Sequence, residues 1–196
     1  MVDNNGYVRL VDLGFAKKVP PGHKTWTFCG TPEYIPPEII SNTGHNIAAD
    51  YWSLGILIFE LLSKRTPFRA KDDLAIYEGK NIIFTFFLII TILGILRGIH
   101  SVQFPYKISR KAESMIKALC RQDPSERIGY QRAGVNDIRK HRWFQGFDWE
   151  GLRSEKIQAP HIPEIKNPFD VSNFEKIREE DERKIPEETS GWDAEF

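Results

Sequence analysis

The chain has 196 residues, of which 41% are hydrophobic, and its 27 basic and 27 acidic residues give a net charge of zero. This length and apolar content suit one folded domain, and the balanced charge gives no reason to expect a nucleic-acid partner. The two cysteines, Cys29 and Cys120, are too few for a disulfide framework, and the polar start of the chain is unlike a signal peptide. We therefore predict a cytoplasmic protein.

The N-terminal third begins with residues 7–11 (YVRLV), whose alternating, β-forming residues predict a short strand that ends at Asp12. The triplet Asp12-Leu13-Gly14 follows, and Gly30-Thr31-Pro32-Glu33 and Pro37-Glu38 come later in the same order. This succession resembles the activation segment of protein kinases. Its Asp offers a hard oxygen ligand for Mg²⁺, and its Gly permits a sharp turn of the backbone.

The centre of the chain, residues 50–62 (DYWSLGILIFELL), is apolar around nearly the whole circumference of a helix, which predicts burial on every side. The run is too short for a bilayer and contains two carboxylates, so we place it in a protein core. Residues 109–119 (SRKAESMIKAL) predict a second helix behind a Ser cap, and Val135–Lys140 predicts a third. From Pro160 onward, prolines and acidic residues indicate an extended tail.

Longer stretches of the sequence indicate which protein kinases the chain resembles. Residues 6–18 and 24–34 resemble the cyclic-nucleotide-dependent branch of the AGC serine/threonine kinases. Residues 49–55 (ADYWSLG), 123–129 (DPSERIG) and 191–196 (GWDAEF) resemble the cGMP-dependent protein kinases in particular. This implies a mainly α fold, with a partial kinase large lobe over residues 1–144, one short N-terminal strand, and an extended C-terminal tail over residues 145–196. The implied reaction is transfer of the γ-phosphoryl group of ATP to Ser or Thr in basic protein substrates, with Mg²⁺.

The resemblance also implies roles for residues of the activation segment. Asp12 would bind Mg²⁺, Thr27 would carry an activating phosphate, and Lys17 would contact that phosphate. Without this context, Thr27 would be interpreted as one of several hydroxyls in a solvated loop. The residues implied to bind the protein substrate are Gly30, Thr31, Pro32, Glu33 and Glu60.

Four further residues have implied structural or nucleotide-binding roles. Glu38 and Arg127 would form a buried ion pair, and Asp50 would hold the backbone of the catalytic loop. Phe174 would reach the nucleotide pocket from the tail. For Glu60 the alternative is an ordinary solvated carboxylate near a helix end.

Several parts of the kinase signature have no counterpart in these residues: the Gly-rich loop, the ATP-binding Lys with its Glu partner, and the His-Arg-Asp catalytic loop. No catalytic residue is therefore assigned. We expect the chain to be an inactive part of a larger kinase that also has a small lobe and a cyclic-nucleotide-binding region. The alternatives are a non-catalytic lobe that binds partners or substrates, and the product of an incomplete gene model.

Residues 79–94 (GKNIIFTFFLIITILG) are the stretch that the family does not explain. The uncharged run 81–96 is slightly short of the roughly 20 residues of a membrane helix, so we do not expect a membrane partner, although it resembles such a span. A genuine docking insert would expose β-branched and aromatic residues with no polar face, a composition typical of aggregation-prone strands. We favour a translated intron, because removing the stretch restores a short helix of the family.

Overall fold

The computed structural model describes residues 1–69, 80–167 and 169–175. The chain divides into two compact units, one of residues 12–154 and one of residues 1–11 together with residues from 155 onward. In the described ranges the regular structure is helical, and β pairing is limited to the isolated bridges Val2–Val8 and Thr25–His45. The prediction of a mainly α fold is confirmed.

The larger unit contains all the helices of the described residues. The α-helices are α1 (Pro37–Ile40), α2 (Ala48–Ser63), α3 (Lys80–Arg97), α4 (Arg110–Leu119), α5 (Val135–Lys140) and α6 (Trp149–Arg153). Among the described residues, one 3₁₀ turn, Pro32–Tyr34, precedes α1, and three lie between later helices, at Ile99–Ser101, Pro124–Glu126 and Arg142–Phe144.

Helix α2 lies at the centre of this unit, as its sequence predicts. Its residues Trp52, Ile56 and Phe59 are fully buried, and it packs against α4. The two helices approach closely at Gly55, where a Cβ atom would lie 2.4 Å from the Sγ atom of Cys120. Helix α2 ends at Lys64, which adopts the left-handed conformation with φ of 66°.

Helix α4 has both an N-terminal capping residue and apolar residues at helical spacing, and both features favour a helix that begins after Ser109. The hydroxyl of Ser109 accepts a hydrogen bond from the backbone N–H of Ala112, at 3.2 Å, and caps the first turn. The residues that α4 buries recur at helical spacing and are Ala112, Met115, Ile116 and Leu119. Its opposite face carries charged side chains, which include Arg110, Glu113 and Lys117.

Helix α3 contains the apolar stretch that the family does not explain. Residues 80–94 of the stretch are helical, whereas their β-branched and aromatic composition indicates strand. Its C-terminal turn is held in the core, because Ile95 is fully buried and the side-chain amide of Gln122 donates to the carbonyls of Ile95 and Leu96, at 3.1 and 2.9 Å. No helix in the described part of the chain is long and apolar enough to span a membrane. The apolar residues that α3 leaves exposed are Phe86, Ile89, Leu93 and Leu96.

The smaller unit joins the first residues of the chain to residues that follow α6. Arg9 bonds to Asp3 at 2.8 Å and to Glu155 at 2.6 Å, and the Tyr7 hydroxyl donates to the carbonyl of Ile157. These bonds explain why the units do not coincide with the division at residue 144 expected from the sequence. The predicted strand over residues 7–11 was wrong in extent, because only Val8 forms a bridge and Leu10 remains 91% exposed.

Candidate substrate-binding and activation site

Asp12 opens the larger unit with an unusual backbone conformation, since its φ angle is 60°. Asp tolerates this left-handed region better than most residues, because its short side chain bonds to nearby backbone. Here the carboxylate accepts a hydrogen bond from the N–H of Gly14, at 3.3 Å. Asp12 is exposed, as is the apolar side chain of Leu13 beside it.

The described residues contain no group of three or more Asp, Glu, His or Cys side chains that could hold a metal ion. Mg²⁺ in kinases is held by two protein side chains together with the phosphates, which a Lys and a Gly-rich loop position. Asp12 would therefore supply one ligand of a site whose other parts the described residues do not provide.

A shallow cavity of about 240 Å³ lies beside the activation segment. Lys17, Thr25, Thr27 and His45 are among its lining residues. The Lys17 ammonium donates to the Thr25 hydroxyl at 2.8 Å, and Thr25 and His45 exchange two backbone hydrogen bonds of 2.9 Å. Thr25 is buried, whereas Thr27 is exposed, so the second hydroxyl is the one open to solvent.

Lys17 is one of the charged groups that shift the pKa of His45 in this cavity. Burial lowers the pKa of His45, the Lys17 charge lowers it further, and the carboxylates of Glu38 and Asp50 oppose the shift. His45 is therefore mainly neutral at pH 7. Lys17 is the one Lys or Arg among the residues that line the cavity, and the exposed Thr27 belongs to the same lining.

Tyr34 interacts with both carboxylates that the family resemblance assigns to substrate binding. Its hydroxyl donates a hydrogen bond to Glu60, on α2, and Glu33 accepts one from Thr66 at 2.8 Å. Burial, the bond to Glu60, and the charges of Glu60 and Glu33 together raise the pKa of Tyr34 to about 12. The backbone of Tyr34 is also held in place, because the Ser53 hydroxyl donates a hydrogen bond to the Tyr34 carbonyl at 3.1 Å.

The residues before Glu33 form an exposed approach to this pair of carboxylates. Gly30 has φ of 116°, a conformation that side chains other than hydrogen rarely allow. Thr31 and Pro32 are exposed, and Pro32 starts the 3₁₀ turn that carries Glu33 and Tyr34. The bond from Tyr34 to Glu60 thus brings residues 30–33 close to Glu60, and the substrate-binding role of these residues stays a prediction.

Glu38 and Arg127 form a bidentate ion pair, with N–O distances of 2.6 and 2.7 Å. Both are buried, at 6% and 0% exposure. Arg127 also donates to the carbonyls of Ala48 and Arg121, each at 2.9 Å. The pair thus joins α1 to the start of α2 and to the loop after α4.

Two predicted site residues lie apart from these contacts. Asp50 is on the first turn of α2, where partial burial raises its pKa and the neighbouring His45 lowers it. Phe174 belongs to the smaller unit and is 56% exposed, with its N–H bonded to the carbonyl of Val171. The terminal aromatics Trp192 and Phe196 lie outside the described residues.

Sequence reasoning missed the part that Tyr34 and His45 play. In the sequence, Tyr34 is only the last residue of the run 24–34 that resembles a kinase activation segment. A phenol directly after Glu33 could have suggested a partner for a second carboxylate. His45 has no local signal, because it reaches the cavity through backbone pairing with Thr25, twenty residues earlier.

Comparison with known proteins decides the family. The family model described as the protein kinase domain matches residues 1–144. The chain belongs to the protein kinase family. This kinase chain is 47% identical over 196 residues to the cGMP-dependent protein kinase isozyme 2 forms cD5/T2 of Drosophila melanogaster, and 47% identical to human cGMP-dependent protein kinase 2. It is 49% identical over 197 residues to the cGMP-dependent protein kinase egl-4 of Caenorhabditis elegans.

These matches cover all of the kinase chain, but 19%, 24% and 23% of the respective relatives. The chain thus spans a quarter or less of their length. The predicted resemblance to cGMP-dependent protein kinases is confirmed, and the helical unit of residues 12–154 is consistent with part of a kinase large lobe.

Proposed function

We propose that this chain forms the activation and substrate-binding part of a serine/threonine protein kinase of the cGMP-dependent type. The complete enzyme would transfer the γ-phosphoryl group of ATP, with Mg²⁺, to Ser or Thr in basic proteins. Its regulation would use a cyclic-nucleotide-binding region of the parent protein, and its location would be cytoplasmic.

The observation that carries the proposal is the interaction of Tyr34 with two carboxylates, those of Glu33 and Glu60. Glu60 accepts the Tyr34 hydroxyl, and the charges of both carboxylates raise the pKa of that phenol. Two carboxylates at one partly exposed surface favour a guanidinium, which binds carboxylate oxygens through two parallel charge-assisted bonds. A substrate with Arg near its target hydroxyl matches this arrangement.

Peptide binding by this chain is a separate function from phosphoryl transfer by the complete enzyme. The sequence contains no counterpart of the His-Arg-Asp catalytic loop or of the Lys that binds the ATP phosphates, and among the described residues Asp12 belongs to no group of three or more metal-ligating side chains. The chain itself would bind a basic peptide without transferring a phosphoryl group. The same observation favours the second candidate function, a non-catalytic lobe that binds substrates or partners, and the parent sequence distinguishes the two.

Peptide binding tests the site. A fluorescent peptide with two Arg residues before a Ser is titrated with the chain, and fluorescence anisotropy reports the dissociation constant. We expect Glu60→Gln to weaken binding about tenfold, because a charge-assisted bond becomes a neutral one. Glu150→Gln is the matched control, since Glu150 is exposed on α6.

Tyr34→Phe separates a binding role of Glu60 from a structural one. This variant removes the phenol that shares the Glu60 carboxylate, so we expect peptide affinity to stay equal or rise. If Tyr34→Phe weakens binding as much as Glu60→Gln, the bond between the two residues serves the fold and the substrate assignment is wrong.

Sequencing of the transcript upstream of this chain tests the parent enzyme. We expect an in-frame Gly-rich loop and a His-Arg-Asp catalytic loop before the codon of Met1. A mature message in which no such coding sequence precedes Met1 would favour the non-catalytic lobe.

A further inference from the structure

A cavity of the described residues lies on the charged face of α4. Its volume is about 560 Å³, which is within the range of small-molecule binding sites. Arg110, Ser114, Lys117 and Arg121 follow one another along this face of the helix and its C-terminal end, at helical spacing. The remaining lining residues are His100, Glu113, Ala118 and Arg142.

The cavity is strongly basic even though the chain as a whole is neutral. Arg110, Lys117, Arg121 and Arg142 are permanent cations, and Glu113 is the single carboxylate of the lining. Glu113 is already paired with Lys117 at 2.5 Å, and the Lys117 ammonium also lies 5.1 Å from the centre of the Phe104 ring. The remaining positive charge therefore resides on the three arginines.

Among the described residues, these arginines have no acceptor for their side chains. In the described ranges of the chain, the side chains of Arg110, Arg121 and Arg142 make no ion pair and no hydrogen bond, and all three are exposed. They line the cavity from separate positions, since Arg110 begins α4, Arg121 follows its last residue Leu119, and Arg142 begins the 3₁₀ turn Arg142–Phe144. Like charges that line one cavity repel one another, and because the one carboxylate of the lining, Glu113, is paired with Lys117, an anion of high charge would relieve this repulsion.

We propose that this cavity is a binding site for a phosphorylated ligand with at least two anionic phosphate charges. Each guanidinium can bind two phosphate oxygens through its planar fork, so three of them suit a ligand with several oxygens better than a single carboxylate. The Ser114 hydroxyl, 3.4 Å from the His141 ring, offers a neutral donor within the same wall.

The site is distinct from the proposed substrate and activation site. Its lining shares no residue with the cavity of Lys17 and Thr27 or with the group of Glu33, Tyr34 and Glu60. Its charge is also opposite to that of the carboxylate pair. A phosphorylated ligand here would not compete with an Arg-rich substrate, and failure of either proposal leaves the other unaffected.

The test is calorimetric titration of the chain without Mg²⁺, using two sources of phosphate. One probe is inorganic tripolyphosphate, and the other is a peptide with two adjacent phosphoserines, compared with the same peptide unphosphorylated. We expect at least one phosphorylated probe to bind and the unphosphorylated peptide not to bind. Binding of tripolyphosphate alone would indicate that the ligand is a small free polyanion. Binding of the phosphopeptide alone would indicate that the ligand is a phosphorylated protein. Absence of binding by both probes overturns the proposal.

Substitutions locate the site. The double variant Arg110→Gln with Arg142→Gln should lose about tenfold or more in affinity, because two charge-assisted contacts are removed. The control is Lys111→Gln with Arg132→Gln, which removes the same charge from exposed residues outside the cavity lining. Equal losses in both double variants would show general electrostatic attraction and overturn the site.

A chemical measurement needs no variant and so does not depend on variant folding. Phenylglyoxal modifies exposed arginines, and mass spectrometry reports the extent at each position. The bound probe should protect Arg110, Arg121 and Arg142 and leave Arg132 reactive. Uniform protection, or protection of Arg132 alone, would contradict the proposed location.

Discussion

The buried ion pair of Glu38 and Arg127 gives the sharpest prediction about stability. In Glu38→Gln the volume of the side chain is kept, but one of the two acceptors facing Arg127 becomes an amide donor. Arg127 is fully buried and remains charged, so the variant leaves a guanidinium with a donor opposite it.

The magnitude follows from what Arg127 keeps and what it loses. Removing one member of a buried pair costs about 3–5 kcal/mol of unfolding free energy. Arg127 retains its bonds to the carbonyls of Ala48 and Arg121 and its position 5.2 Å from the Trp52 ring, so we expect the lower end, about 3 kcal/mol. The matched control is Glu113→Gln, which breaks a partly exposed pair within α4 and should cost about 0.5 kcal/mol or less.

Urea denaturation followed by tryptophan fluorescence measures both variants. Trp52 stacks near Arg127 in the core, so its emission reports the unfolding of this region. A double variant, Glu38→Leu with Arg127→Met, should be more stable than Glu38→Gln alone, because no buried charge remains without a partner. If Glu38→Gln and Glu113→Gln lower the unfolding free energy equally, the desolvation argument is refuted.

Three other predictions concern the activation segment and Tyr34. The isolated chain should transfer no radiolabelled phosphate to an Arg-rich peptide above the level of Asp12→Ala, and any turnover beyond that control would show that the missing parts are not needed. When the chain is incubated with an active kinase, phosphopeptide mapping should find Thr27 modified and the buried Thr25 not, whereas the reverse would contradict the assignment. The raised pKa of Tyr34 stabilises the fold fully below pH 10, and this contribution should be lost as the pH rises towards about 12. Ultraviolet titration of Glu60→Gln should show a lower pKa for Tyr34, and an unchanged pKa would mean that burial alone causes the shift.

Elements with local signals could be predicted from the sequence. Helix α4 has a Ser cap and a regular apolar face, and α5 was predicted with the bounds that the structure has. Helix α2 extends about two residues beyond its N-terminal prediction, because Ala48 and Ala49 are buried within the first turn.

The rest depends on contacts between residues far apart in the chain. The bond from Tyr34 to Glu60 joins an activation-segment turn to a core helix, and no pattern near either residue indicates it. Helix α3 was not predicted because its apolar residues show no helical period, and its anchoring depends on Gln122, more than twenty residues later. The strand over residues 7–11 failed because a strand needs a neighbour along its length, and these residues pair only at Val8.

The close approach of α2 and α4 constrains how this core can vary. No side chain fits at Gly55 while the Cys120 thiol occupies its present position, 2.4 Å from where a Cβ atom would be, and Leu119 and Ile116 lie just beyond. Alanine at position 55 would therefore require a smaller residue at position 120 or a wider separation of the helices, which would open space around Trp52 and Phe59. The two positions form a compensating pair across the chain, so homologues or designed variants that enlarge one should reduce the other.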